Sequence, residues 1–242
     1  MRLFLCCGLS NIVLKLISTI LLRGVFSIKG YLLRVVRLMA GLFLFALGIV
    51  MTLRADIGFA PWDVFHSGLA QTLGIRIGIA SILTGLVLLI IVAAMKETLG
   101  LGTIFNMFFV GFFVDRILSF GIIPLANHFV IGVLMLISGL LLISLGSYFY
   151  ISSAFGAGPR DSVMVMLARR TGKPVGLCRA AVELTAVAVG FLLGGLVGIG
   201  TVIAAIGIGF CVQFVFRTLK FNPALVEHES LAQSAKGFLN KQ

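Results

Sequence analysis

Long apolar stretches closed at their ends by charge dominate this chain, and about 20 such residues is what a helix needs to cross a bilayer core. Tyr31–Leu53 has Arg34 and Arg37 near one end and Arg54 at the other. Ile77–Met95 lies uncharged between Arg76 and Lys96. Thr98–Val114 follows between Glu97 and Asp115, with room to extend to about Phe120. Phe129–Ile151 comes after a break at Pro124, Asn127 and His128. Val175–Gly194 is interrupted by Arg179 and Glu183, and Val197–Phe216 ends at Arg217 and Lys220. Six spans are therefore expected. Composition points the same way: 60% of the 242 residues are hydrophobic and only 11% are charged. That is too little charge to coat a water-exposed surface. A soluble enzyme, a nucleic-acid-binding protein and a disordered chain are excluded in favour of a polytopic membrane protein.

The net charge of +11 would suggest nucleic acid in a soluble chain, but here the bases sit at the ends of apolar runs. Cytoplasmic loops collect Lys and Arg. With the N-terminus inside, Arg23, Lys29, Arg34, Arg37, Lys96, Arg160, Arg169, Arg170, Lys173, Arg217 and Lys220 fall on the cytoplasmic side. Arg54, Arg76 and Arg116 fall outside. The bias places both termini in the cytoplasm. The four cysteines, Cys6, Cys7, Cys178 and Cys211, have neither disulfide nor metal spacing and read as small apolar side chains.

Three pieces are not spans by this measure. Residues 1–30 form an N-terminal extension whose apolar part, Leu3–Leu22, holds Asn11 and Lys15. It reads as an interfacial helix, an extra span or the product of an early start codon, and poorly as a signal peptide. Residues 221–242 form a polar cytoplasmic tail. Ala60–Leu73 and Gly158–Thr171 are too short to cross.

Shifted by 98 residues, the chain aligns with itself without a gap. Gly41, Leu42, Leu44, Leu47 and Gly48 fall on Gly139, Leu140, Leu142, Leu145 and Gly146. Gly58, Pro61 and Asp63 fall on Gly156, Pro159 and Asp161, and Gly74 and Gly78 on Gly172 and Gly176. Gly100, Gly102 and Thr103 fall on Gly198, Gly200 and Thr201. The matches concentrate in Gly, Pro, Asp and Thr, which carry backbone geometry rather than bulk hydrophobicity. The expected fold is thus an all-α polytopic membrane protein of two repeats, residues 31–120 and 129–219. Each contains three spans and one short Gly/Pro-broken helix. Three spans is an odd number, so the second repeat enters the membrane inverted. If the short segments crossed fully, there would be eight spans and parallel repeats; their length favours six.

The broken segments carry the strongest functional signal. In Gly58-Phe59-Ala60-Pro61-Trp62-Asp63, Gly ends the preceding run, Pro suits a first helical turn, and the Asp63 carboxylate meets the helix dipole. Gly156-Ala157-Gly158-Pro159-Arg160-Asp161 repeats the device. Paired broken segments point to the central site of a transporter, although well-capped interfacial helices would read the same. Trp62, the only Trp, reads as an interfacial anchor. His66, one turn from Asp63, is either the second half of a proton-sensitive pair or a side chain bonded to a carbonyl. Glu183 lies eight positions past Val175, about 12 Å into the apolar run. A charge at such depth costs about 2.5 kcal/mol or more and usually faces an interior with a function. Arg179, four residues earlier, is placed to pair with it. The first repeat has Ser81 and Gly85 instead, so this charge belongs to one half. Gly100-x-Gly102-Thr103 and Gly198-x-Gly200-Thr201 are turns in which Thr caps the next helix. No nucleophile–base set, metal-ligand spacing or phosphate loop occurs, so no enzymatic activity, metal or cofactor is expected.

Arg54-Ala55-Asp56-Ile57-Gly58-Phe59-Ala60-Pro61-Trp62-Asp63, Gly100–Asn106, Gly156–Asp161 and Leu196–Thr201 resemble the YczE-like branch of the YczE/YyaS/YitT family of bacterial integral membrane proteins. The resemblance covers about Arg34 to Phe216 and implies a bacterial cytoplasmic-membrane location. It implies no substrate, since that family is largely uncharacterised.

The residues support a small secondary transporter or exporter of an unidentified small molecule, with a non-transporting accessory or scaffold protein as the alternative. Asp63, Asp161, Arg160, Arg179, Glu183 and His66 are the candidate substrate or coupling-ion groups. Gly58, Pro61, Gly156, Gly158 and Pro159 set the backbone that presents them. The expected partners are the lipid bilayer and the small molecule, with a homo-oligomer possible and nucleic acid excluded.

Overall fold

The computed structural model describes residues 30–95, 100–156, 158–173, 175–221 and 226. The N-terminal extension up to residue 29 and nearly all of the tail lie outside them. Among the described residues the chain is all-helical: α1 Gly30–Arg54, α2 Pro61–Leu73, α3 Ile77–Ala94, α4 Leu101–Phe120, α5 Phe129–Ser152, α6 Pro159–Thr171, α7 Val175–Leu192 and α8 Ile199–Thr218. Five of these, α1, α3, α4, α5 and α8, are long and apolar enough to cross a membrane. The sixth expected span is present as the 18-residue α7, which carries Arg179 and Glu183 and is not among the five.

Local chemistry sets the helix ends. Both short helices begin with Pro, whose missing N–H costs nothing in a first turn. Both end on a left-handed glycine, Gly74 (φ 66°) and Gly172 (φ 66°). α4 starts at Leu101, later than the expected Thr98, because Gly100 is extended and serves as its N-cap. α7 stops at Leu192, short of Gly194, which adopts φ 92°. Asp115, which in the sequence looks like the close of a span, lies inside α4. Its Oδ1 accepts the Gly78 N–H at 2.8 Å, tying the start of α3 to the middle of α4.

The core is built on α1 against α5. A Cβ at Gly41 would lie 2.6 Å from Tyr150 N, one at Gly48 2.6 Å from Gly139 O, and one at Gly132 2.6 Å from Ala55 O. These contacts step forward on α1 and backward on α5, so the two helices run antiparallel with their backbones nearly touching. Small residues permit that approach, and in lipid close packing is what holds helices together. Leu38, Leu42, Val50, Leu136, Leu140 and Ala204 fill the core around the crossing. At the far edges α2 packs on α7 and α6 on α3, the latter through Val92, Val163 and Met166.

The two breaks between α1 and α2 and between α5 and α6 share a backbone path. Asp56 (φ 52°) and Ala154 (φ 62°) are left-handed, and Gly58 (φ 116°) and Gly156 (φ 123°) follow two residues later. Each break is closed by a Gly-x-Gly-Thr turn from elsewhere in the chain. Gly200 N donates to Ile57 O at 2.7 Å, and Gly102 N donates to Phe155 O at 2.7 Å. The threonines cap from the third helical position: Thr103 Oγ1 accepts from Gly100 N at 3.3 Å and Thr201 Oγ1 from Gly198 N at 3.2 Å. A buried carbonyl left exposed by a broken helix must find a donor. These turns supply it.

Candidate functional site

The starts of α2 and α6 open on one cavity of about 310 Å³, to which all eight helices contribute. Ala60–Asp63 and Gly158–Asp161 form part of its wall. Neither helix has a side-chain N-cap, so the positive end of each dipole is met by the carboxylate in its own first turn. Asp63 is 4% exposed. Asp161 accepts a hydrogen bond from Tyr150 Oη at 2.8 Å, which ties α6 to α5.

Arg160 occupies the gap between the two short helices. Its guanidinium carbon lies 5.0 Å from the centre of the Trp62 ring. Nη2 is 3.4 Å from both ring nitrogens of His66, so the guanidinium sits over that ring rather than along one lone pair. His66 Nδ1 is in turn 3.8 Å from Asp63 Oδ1. Trp62 and His66 stand one turn apart on α2, and a cation over an aromatic face contributes about 0.5–2 kcal/mol. Asp63 and His66, both buried, therefore form one cluster with Arg160 across two elements that are 94 residues apart at the His66–Arg160 contact.

Also in the cavity wall, Arg179 Nε donates to Glu183 Oε1 at 2.8 Å. The pair is unequal: the Arg179 side chain is 41% exposed and the Glu183 side chain 14%. Ser81 and Gly85 of α3 also line the cavity. Much of the remaining wall is apolar, with Ile49, Leu140, Ile143, Val110 and Phe216 among its residues. The cavity is amphipathic, with three carboxylates and two guanidiniums on its polar side. Among the described residues no three His, Cys, Asp or Glu side chains could hold a metal ion.

Of the six candidate side chains, Asp63, Asp161, Arg160, Arg179 and Glu183 line the cavity; His66 lies behind that wall, joined through Asp63 and Arg160. Pro61, Gly158 and Pro159 lie in the wall itself, while Gly58 and Gly156 shape the two breaks. Trp62, expected as an interfacial anchor, lines the cavity beneath Arg160. Arg160, counted among the cytoplasmic bases, lies in the first turn of α6 and is half-buried in the cavity wall. Tyr150, Ser147 and Asn106 also line the cavity and have no sequence signal of their own, except that Asn106 closes the Gly-x-Gly-Thr-x-x-Asn run.

The family described as "Family of unknown function (DUF6198)" matches residues 28–217. The "Uncharacterized membrane protein YczE" of Bacillus subtilis is 33% identical over 177 residues, covering 72% of this chain and 81% of the relative. An "Uncharacterized protein" of Haemophilus influenzae is 32% identical over 181 residues, covering 73% and 82%. The "Uncharacterized protein YyaS" of Bacillus subtilis is 25% identical over 216 residues, covering 82% and 96%. No solved structure matches.

Proposed function

The chain belongs to the DUF6198 family of unknown function, and from that premise we propose that it is a small secondary transporter with no enzymatic activity, working through the cavity between α2 and α6. One observation carries this reading: the N-termini of both short helices open on a single amphipathic cavity that also holds Arg179 and Glu183. Broken helices that direct their ends at a shared midline site are how a rigid helical fold presents backbone and charge to a substrate. Glu183 is the coupling-proton group, since Arg179, which donates to it, is itself partly exposed. Asp63, with His66 beside it, is the second protonatable station.

Alternating access needs two halves that rock against each other. The two repeats are those halves, related by inversion. Three paired features support this: helices of equal span in α2/α6, α3/α7 and α4/α8; the antiparallel crossing of α1 on α5; and the reciprocal closing of each break by the other half's turn. α7 is then the sixth crossing, its two charges turned to the cavity. The membrane is the bacterial cytoplasmic membrane, with both termini inside.

The test is access from two sides. In a variant lacking the natural cysteines, Ser147→Cys reconstituted in vesicles should react with an impermeant maleimide added to either face. Reaction from one face only, or from neither, sinks transport and leaves an accessory role. Glu183→Gln should remove the pH dependence of the two labelling rates. It should leave folding within about 1 kcal/mol of wild type, because the Arg179 it abandons is substantially exposed. A pH profile unchanged by the substitution would remove Glu183 from coupling.

A further inference from the structure

We propose that the cavity takes a zwitterion of the α-amino-acid type carrying an apolar side chain; this rests on the transport reading and deepens it. Two carboxylates in the wall already have partners. Asp161 is held by Tyr150 Oη at 2.8 Å, and Glu183 by Arg179 Nε at 2.8 Å. The donors are less well served. Trp62 lines the cavity, and its buried indole N–H has no acceptor among the described residues. Arg160, with five N–H donors, has its guanidinium over the faces of Trp62 and His66. A buried donor without an acceptor costs about 1–3 kcal/mol. A carboxylate seated between Arg160 and Trp62 would satisfy both, and the guanidinium fork suits a carboxylate in two-point contact.

Charge then limits what else the ligand carries. Asp63, Asp161 and Glu183 against Arg160 and Arg179 leave one negative charge, which a coupling proton cancels. A simple anion would then bury an uncompensated charge, and an unpaired buried charge is strongly disfavoured. A simple cation could meet Asp63, but it would leave the Trp62 and Arg160 donors unmet. A zwitterion avoids both faults, placing its carboxylate on Arg160 and Trp62 and its ammonium toward Asp63. Its side chain meets Ile49, Leu140 and Ile143 on the apolar wall. A cavity of about 310 Å³ lies at the small end of ligand pockets and suits a molecule of that size.

The wild-type chain supplies its own reporter, because Trp62 is its only Trp. Titrating the purified protein with leucine should shift Trp62 emission saturably. The matched half-ligands, 4-methylpentanoate without the amine and 3-methylbutylamine without the carboxylate, should need at least about tenfold higher concentration, as expected when a hydrogen-bonding group loses its partner. Equal binding by either half-ligand, or no shift with any of the three up to millimolar concentration, overturns the ligand class. Combined with the two-sided labelling of Ser147→Cys, the outcomes separate. Labelling from both faces with no leucine preference removes the ligand class and leaves transport standing. A leucine preference with labelling from one face removes transport and keeps the ligand class.

Discussion

Ala154 and Asp56 hold the same left-handed conformation, but they do so at different cost. For a residue with a Cβ, that region costs roughly 1–2 kcal/mol, while Asp tolerates it through local hydrogen bonding. Ala154→Gly should therefore stabilise the folded chain by about 1 kcal/mol, and Asp56→Gly by distinctly less. The unfolding midpoint in detergent measures both. An Ala154→Gly midpoint at or below wild type would mean that the break before α6 relaxes without strain. Arg160 shows the opposite economy at the same scale. One side chain covers two rings of another helix and still presents donors to the cavity, and no neighbour in sequence announces this.

At the scale of elements, the crossing of α1 and α5 tolerates nothing larger than glycine. A Cβ at Gly48 would sit 2.6 Å from Gly139 O and 2.7 Å from Ile143 Cγ1, backbone and core side chain that have nowhere to move. Gly48→Val should cost about 3 kcal/mol or more through overpacking and forced separation of the helices. Gly209, inside α8, has nothing within 4 Å of a built Cβ. Gly209→Ala should stay within about 1 kcal/mol of wild type, since it changes only local helix preference. Equal losses at both positions would show that glycine content, not the close crossing, governs stability. The short helices obey a related rule: their ends are set by Pro and left-handed Gly, and their positions by the turns that close the breaks beside them.

For the whole molecule, the antiparallel α1–α5 crossing bears on how the chain threads the membrane. The proposed inverted repeats would put Arg76, just before α3, outside and Lys173, just before α7, in the cytoplasm; both are exposed. In a cysteine-free chain, Arg76→Cys should be labelled by an impermeant reagent only from the outer face of intact cells. Lys173→Cys should be labelled only after the inner face is opened. Labelling of both from the cytoplasmic side alone would mean that the short helices cross and that the repeats are parallel.

The sequence was enough for the helical, membrane-embedded class, because burying 20 apolar residues in lipid leaves a backbone no option but to satisfy its own hydrogen bonds. It was also enough to mark the broken segments, since Gly, Pro and a first-turn Asp act within a few residues of themselves. The Arg179–Glu183 pair is local in the same way, one helical turn apart. What the sequence could not specify is contact between distant segments. Trp62 looks like an anchor and Arg160 like one more cytoplasmic base until the first turns of α2 and α6 are brought together. Tyr150 is one more aromatic in an apolar helix until Asp161 turns back to it. The Gly-x-Gly-Thr runs look like plain turns until each meets a break in the other half of the chain. Periodicity and capping are short-range physics that a single strand of letters records. The cavity and its charge balance arise from the way the helices pack, and only the folded chain holds that information.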